Sequence, residues 1–186
     1  MIYSKFSGQI SVICGSMFSG KTEELLRRIR RAQIANLKCL IIKPEIDDRY
    51  KSEKVVSHAK NEIGSLSIKL NESILNHAKD YDVIAIDEAQ FFEQHLISEI
   101  EELCAAGKRM IVVGLDMDSD GKPFGIMPHL MAIADEVLKL HAICTECGSR
   151  AQFSYRKSDA KEQVKIGGKE AYTALCRYHY KLAKSK

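Results

Sequence analysis

The chain has 186 residues, 45% of them hydrophobic, enough for one ordinary core and a small appended module and too few for two full-sized domains. Its 28 Lys and Arg against 25 Asp and Glu leave a net charge of +3, interspersed along the chain, so no nucleic-acid partner is expected. The chain has no signal-peptide pattern, and no apolar run approaches the roughly 20 residues that span a bilayer. No membrane partner and a cytoplasmic location are therefore expected, with the six cysteines serving as reduced thiols or metal ligands.

In chain order, "ISVIC" (10–14) reads as a buried strand and is followed at once by "GSMFSGKT". That octapeptide fits G-x-x-x-x-G-K-[ST], with Gly15, Ser16, Met17, Phe18, Ser19, Gly20, Lys21 and Thr22 in the eight positions. Glycines let the backbone turn several N–H groups toward phosphate oxygens, and the helix that follows adds the partial positive charge of its N-terminus. Lys21 is expected to reach the β and γ phosphates of ATP, and Thr22 to offer its hydroxyl to Mg²⁺. The helical pattern runs over about 21–35, where "RRIRR" (27–31) beside Glu23 and Glu24 reads as a solvated, salt-bridged face.

Further strands are expected at "CLIIK" (39–43), "VIAID" (83–87) and "MIVVG" (110–114), each apolar almost throughout as a strand covered on both faces must be. Helical patterns lie at about 71–79 and 93–106, the latter closed by Gly107 as a C-cap. The order is βαβα, which argues for an α/β fold with a doubly wound parallel sheet and right-handed crossovers; with "GSMFSGKT" after its first strand, the fold class expected is P-loop (RecA-like). The polar segment 44–65 reads as a long excursion.

Asp87 ends a strand, where a P-loop protein places the carboxylate that completes the Mg²⁺ environment. Glu88 follows it, and would polarise a water in a hydrolase or accept the proton of a substrate hydroxyl in a small-molecule kinase. The tetrapeptide "DEAQ" is also similar to helicase motifs, but a helicase pairs two such domains and the length leaves no room for the second.

The pattern changes after about residue 140. Cys144-x2-Cys147, then 28 residues, then Cys176-x2-His179 supplies four ligands in two knuckles, the set that closes a structural tetrahedral Zn²⁺ site. The division expected is an ATP-binding α/β domain over 1–140 and a zinc-binding lasso domain over 141–186, the lasso able to close over a small ligand. Cys14, Cys39 and Cys104 read as small core residues.

Together, "GSMFSGKT", "DEAQFF", "GLDMDSDGKPFG" and the Cys144, Cys147, Cys176 and His179 set resemble the zinc-containing (type II) thymidine kinase family from about residue 8 to 180. The resemblance implies transfer of the γ-phosphate of ATP to the 5′-hydroxyl of thymidine, giving dTMP in deoxynucleoside salvage, with Glu88 as catalytic base. It adds Gln90 and Arg49 to the nucleotide-binding set of Lys21, Thr22 and Asp87. It places Met17, Phe91, Leu115 and Phe124 around the base, and Ser154, Ile166, Gly168 and Tyr172 in the lasso over base and sugar. A homotetramer and feedback inhibition by dTTP are further implications. Two positions depart from the family: Ser119 stands where an aromatic is frequent, and Ser154 where a threonine is common. The alternative reading is a nucleic-acid-associated P-loop ATPase that grips its polymer through the zinc module.

Overall fold

The computed structural model describes residues 8–45, 65–157 and 171–185. Arg49, Ile166, Gly168 and nearly all of the expected excursion at 44–65 lie outside them.

Strand β1 (Gln9–Gly15) is buried from Ile10 onward and sits inside a six-stranded sheet. Its neighbours are β5 (Arg109–Gly114) and β6 (Glu136–Leu140), both parallel to it. On the other side of β5 come β4 (Val83–Ile86), β2 (Cys39–Pro44) and β3 (Ser65–Ile68), giving the order β3-β2-β4-β5-β1-β6, parallel throughout. The four strands expected from continuous apolar runs are the four interior ones. The two edge strands, "SLSI" and "EVLKL", alternate in burial along the chain, because only one face of each is covered.

Helix α1 (Lys21–Ile34) covers one face of the sheet. Leu25, Ile29 and Ala32 recur at i, i+4 and i+7 and pack with Ile13, Ile41, Ala85 and Val113. Each fully buried Leu or Ile of this set contributes about 1.5–3 kcal/mol through burial. The opposite face buries Val12, Ile42, Ile86 and Val112 under α2 (Leu75–Ala78), α3 (His95–Ala105) and α4 (Met127–Ile133). The sheet is thus doubly wound. The helix expected over 71–79 is reduced to the single turn of α2, where Ile74 and Ala78 are buried and Leu75 packs partly against the same core. Helix α3 closes at Gly107, whose N–H donates to the Cys104 carbonyl.

The arginine-rich face of α1 is salt-bridged, as expected, but it also does more. Glu24 accepts hydrogen bonds from Arg27 and Arg28, and Arg28 reaches across to Glu136 of β6 at 2.8 Å. The Arg27 and Arg28 guanidinium groups hold the Glu24 carboxyl down at about 2, against 4.5 unperturbed. Its contribution to stability is complete above pH 4.5 and lost as the pH falls toward 2. Glu24→Gln is expected to cost about 1 kcal/mol or less at pH 6 and progressively less below pH 4, as urea midpoints at pH 6 and pH 3 would show. A loss that grows on acidification would contradict this.

After residue 140 come two short antiparallel pairs, β7 (Ala142–Ile143) with β8 (Arg150–Ala151) and β9 (Phe153–Arg156) with β10 (Tyr172–Leu175), and then helix α5 (Arg177–Lys184). Their small core holds Ala142, Ala151, Phe153, Leu175 and Tyr180. Phe153 stacks on Tyr180 at 4.2 Å, and the Tyr180 hydroxyl donates to the Ser119 carbonyl at 2.9 Å, tying α5 to the loop that leaves β5. Ser119, where an aromatic was the frequent alternative, thus serves this contact through its backbone.

Candidate active site

The phosphate loop leaves β1 at Gly15, whose φ of +139° favours glycine and whose added Cβ would stand 2.2 Å from the Leu140 carbonyl. The loop is therefore pressed against the end of β6. Ser16 offers its carbonyl to both Ser19 Oγ (2.8 Å) and Lys21 Nζ (2.9 Å), which holds the lysine curled over its own loop. Thr22 is exposed in the first turn of α1, and Phe18 is 42% exposed with φ +64°. The loop has a second anchorage, on residues far along the chain. Ser16 Oγ donates to the Ala151 carbonyl at 3.2 Å, and Met17 N–H donates to Ser154 Oγ at 2.9 Å. Ser154 is buried, and its hydroxyl serves the phosphate loop through that contact.

Asp87 lies one residue beyond β4, with its N–H on the Ile42 carbonyl and its Oδ1 accepting from Glu88 N–H. Lys43 Nζ stands 3.5 Å from its Oδ2. Glu88 has φ +56°, a left-handed conformation that a glutamate adopts only where the surroundings impose it. Gln90 supplies part of that imposition: its Nε2 donates to Glu88 Oε2 at 2.6 Å, while its Oε1 accepts from Leu115 N–H at 3.0 Å. Burial first, then the neighbouring Asp87 charge, push the Glu88 carboxyl above the usual carboxylate range, and Gln90, Lys21 and Lys43 oppose them. A carboxyl of raised basicity beside a phosphate cradle can take a proton from an incoming hydroxyl.

Phe91 and Phe124 meet edge to face at 5.6 Å, and both are half-buried, as is Leu115. Phe124 N–H is held by the Asp116 carbonyl. Gly125 follows with φ +51°, and a Cβ there would stand 2.2 Å from the Gln90 carbonyl oxygen. Gly125→Ala is expected to cost about 1–3 kcal/mol and to lower kcat, because the Gln90 backbone must shift and take its amide off Glu88. Thermal midpoint and turnover measured together would show it, and an unchanged kcat would break the link between Gly125 and Glu88. Tyr172 is buried at the start of β10, under the Arg156 guanidinium.

The ligand atoms of Cys144, Cys147, Cys176 and His179 all lie within 4.8 Å of one another. Cys147 Sγ and Cys176 Sγ are 3.8 Å apart, and Cys176 Sγ is 3.3 Å from His179 Nδ1. A tetrahedral Zn²⁺ with Zn–S bonds of about 2.3 Å spaces its sulfurs by about 3.8 Å, so donor set and spacing fit zinc with no open position. For Mg²⁺, Thr22 and Asp87 are oxygen donors of the right kind at the mouth of the phosphate loop.

Sheet order, loop and acidic strand end define a P-loop nucleotide-binding α/β protein with a Cys3His cluster of zinc-compatible spacing. The model of the thymidine kinase family matches residues 8–180. A thymidine kinase of Bacteroides thetaiotaomicron is 51% identical over 179 residues, covering 96% of this chain and 90% of that protein. One of Porphyromonas gingivalis is 50% identical over 178 residues (96% and 87%), and one of Coprothermobacter proteolyticus 48% identical over 181 (94% and 91%). The chain belongs to the thymidine kinase family.

Proposed function

We propose that this chain is an ATP-dependent thymidine kinase that transfers the γ-phosphate of ATP to the 5′-hydroxyl of thymidine, giving dTMP and ADP. The observation that carries the reading within the site is Glu88: a buried carboxylate in a forced backbone conformation, oriented by Gln90 and adjoining the cradle of Lys21.

Glu88 takes the proton of the 5′-hydroxyl as its oxygen attacks the γ-phosphorus in line with the departing ADP. Lys21 leaves the Ser16 carbonyl for phosphate oxygens, and the N–H groups of Gly15 to Gly20 cradle the same phosphates. Thr22 and Asp87 would hold Mg²⁺, which when bound neutralises charge on the phosphate oxygens. Phe91, Leu115 and Phe124 wall the base, and Met17 meets the thymine methyl, a contact worth about 1–3 kcal/mol of preference over uracil. Tyr172 lies over base and sugar from β10, and Ser154 acts on the same pocket by holding Met17. Arg49, Ile166 and Gly168 complete the set by resemblance to the family.

In this reading residues 1–140 bind ATP, 141–186 close over the nucleoside, and zinc is structural. The working form is a cytoplasmic homotetramer inhibited by dTTP, with neither nucleic acid nor membrane as partner. ADP release with Mg-ATP is the test, comparing thymidine, deoxyuridine, deoxycytidine and single-stranded DNA. Stimulation by thymidine, with or without deoxyuridine, is expected. Stimulation by DNA alone would replace this function with that of a polymer-driven ATPase.

A further inference from the structure

Strand β5 lies between β1, which carries the phosphate loop, and β4, which leads to Asp87 and Glu88. Asp116 stands two residues past the end of β5 and is 6% exposed. Its Oδ2 is ion-paired with Lys139 Nζ at 2.6 Å, and its Oδ1 is buried without a hydrogen-bond donor among the described residues. Lys139 comes from β6, on the far side of β1, where it is the register partner of Cys14. The pair therefore spans the end of β1 directly before Gly15.

A carboxylate with one oxygen paired and the other unserved is a costly thing to bury, and stability alone gives no reason to keep it. Its charge reaches the phosphate loop. Burial works against the charged form of Lys21, while Glu88, Asp87 and Asp116 work for it. Burial and then Asp116 push the Cys14 thiol, on the strand beneath the loop, up to about 11. The arrangement repeats that of Asp87. In each case a nearly buried aspartate, its side chain 5% or 7% exposed, is paired with a lysine about 40% exposed from another strand. Lys43 serves Asp87 on one flank of the cradle, and Lys139 serves Asp116 on the other. An unneutralised carboxylate at this position would repel a triphosphate, which gives the lysine its role.

We propose that the Asp116–Lys139 pair belongs to the phosphate-binding machinery: Asp116 is a positioning residue that orients the Lys21 ammonium, and Lys139 cancels its charge so that the triphosphate can enter. The inference rests on reading "GSMFSGKT" as the loop that holds ATP.

The test is calorimetric titration of ATP and of thymidine into zinc-loaded full-length wild type, Lys21→Met, Asp116→Asn, Lys139→Met and the double variant Asp116→Asn/Lys139→Met, with turnover of each. Lys139→Met is expected to weaken ATP at least tenfold while thymidine affinity stays within threefold. The double variant should return ATP affinity to within threefold of wild type, since the unpaired carboxylate is gone. Asp116→Asn should bind ATP no more weakly than wild type yet lose at least tenfold in kcat. A purely structural strap would instead weaken both ligands in all three variants. Wild-type ATP affinity in Lys139→Met, or a double variant no better than Lys139→Met, overturns the proposal. Should Lys139→Met not fold, the other two decide: retained ATP binding with reduced kcat supports it, and wild-type kcat in both overturns it. Lys21→Met separates the two readings: if it binds ATP as wild type does, the phosphate-loop assignment itself falls, whereas its loss of binding beside an unaffected Lys139→Met removes only this inference.

Discussion

Glu88→Gln is expected to lower kcat by about 10²–10⁴-fold while ATP still binds, since the amide keeps the shape of the side chain and cannot accept the proton. The phosphate loop is a separate contact system: Lys21, Ser16 and Ser19 hold one another, and none of them hydrogen-bonds Glu88. In the wild-type protein, burial and Asp87 raise the Glu88 carboxyl, with Gln90, Lys21 and Lys43 opposing. A general base must be ionised to accept a proton, so with Glu88 in that role activity should fall on acidification at a pH above that of an ordinary glutamate. Steady-state kinetics across pH, with ATP titration of the variant, check both points. Normal turnover by Glu88→Gln would remove the base assignment.

Cys147→Ser should lose zinc and with it most of the fold after residue 140. Among the described residues the core of that region is seven buried residues, four of them no larger than cysteine, so a bound metal would supply what apolar burial there cannot. The consequence extends to the nucleotide side, because Ala151 and Ser154 hold Ser16 and Met17. A drop of at least tenfold in kcat/KM for thymidine is expected, with the far-ultraviolet signal of the six-stranded sheet largely retained. Metal analysis of the purified variant is the direct check, and wild-type zinc content would take Cys147 out of the ligand set. Chelation of the wild-type protein should reproduce the loss.

What was legible in the sequence follows from burial. Strands β1, β2, β4 and β5 are covered on both faces and therefore read as unbroken apolar runs. Edge strands β3 and β6 alternate, and α4 is two turns bounded by Gly125 and Asp135, so neither pattern rose above its surroundings. The phosphate loop, the acidic strand end and the zinc knuckles were readable because their chemistry demands fixed residue types at short spacings. Gln90 entered only through resemblance to the family, and its two hydrogen bonds, to Glu88 and to Leu115, depend on the chain crossing between β4 and β5. The Ser154–Met17 contact joins residues 137 positions apart, and Asp116–Lys139 crosses an intervening strand. Contacts of that kind are set by the assembled sheet and leave no local mark in the sequence.

In the proposed reaction Glu88 activates an alcohol and not a water, a distinction that shows in the product. Its most direct test is to incubate the protein with γ-labelled Mg-ATP and thymidine, 3′-deoxythymidine or 5′-deoxythymidine, and to identify the labelled product by mass. Label is expected in the 5′-monophosphates of the first two nucleosides and none in 5′-deoxythymidine. Label appearing only as inorganic phosphate, whichever nucleoside is present, would contradict it and make the site that of a hydrolase.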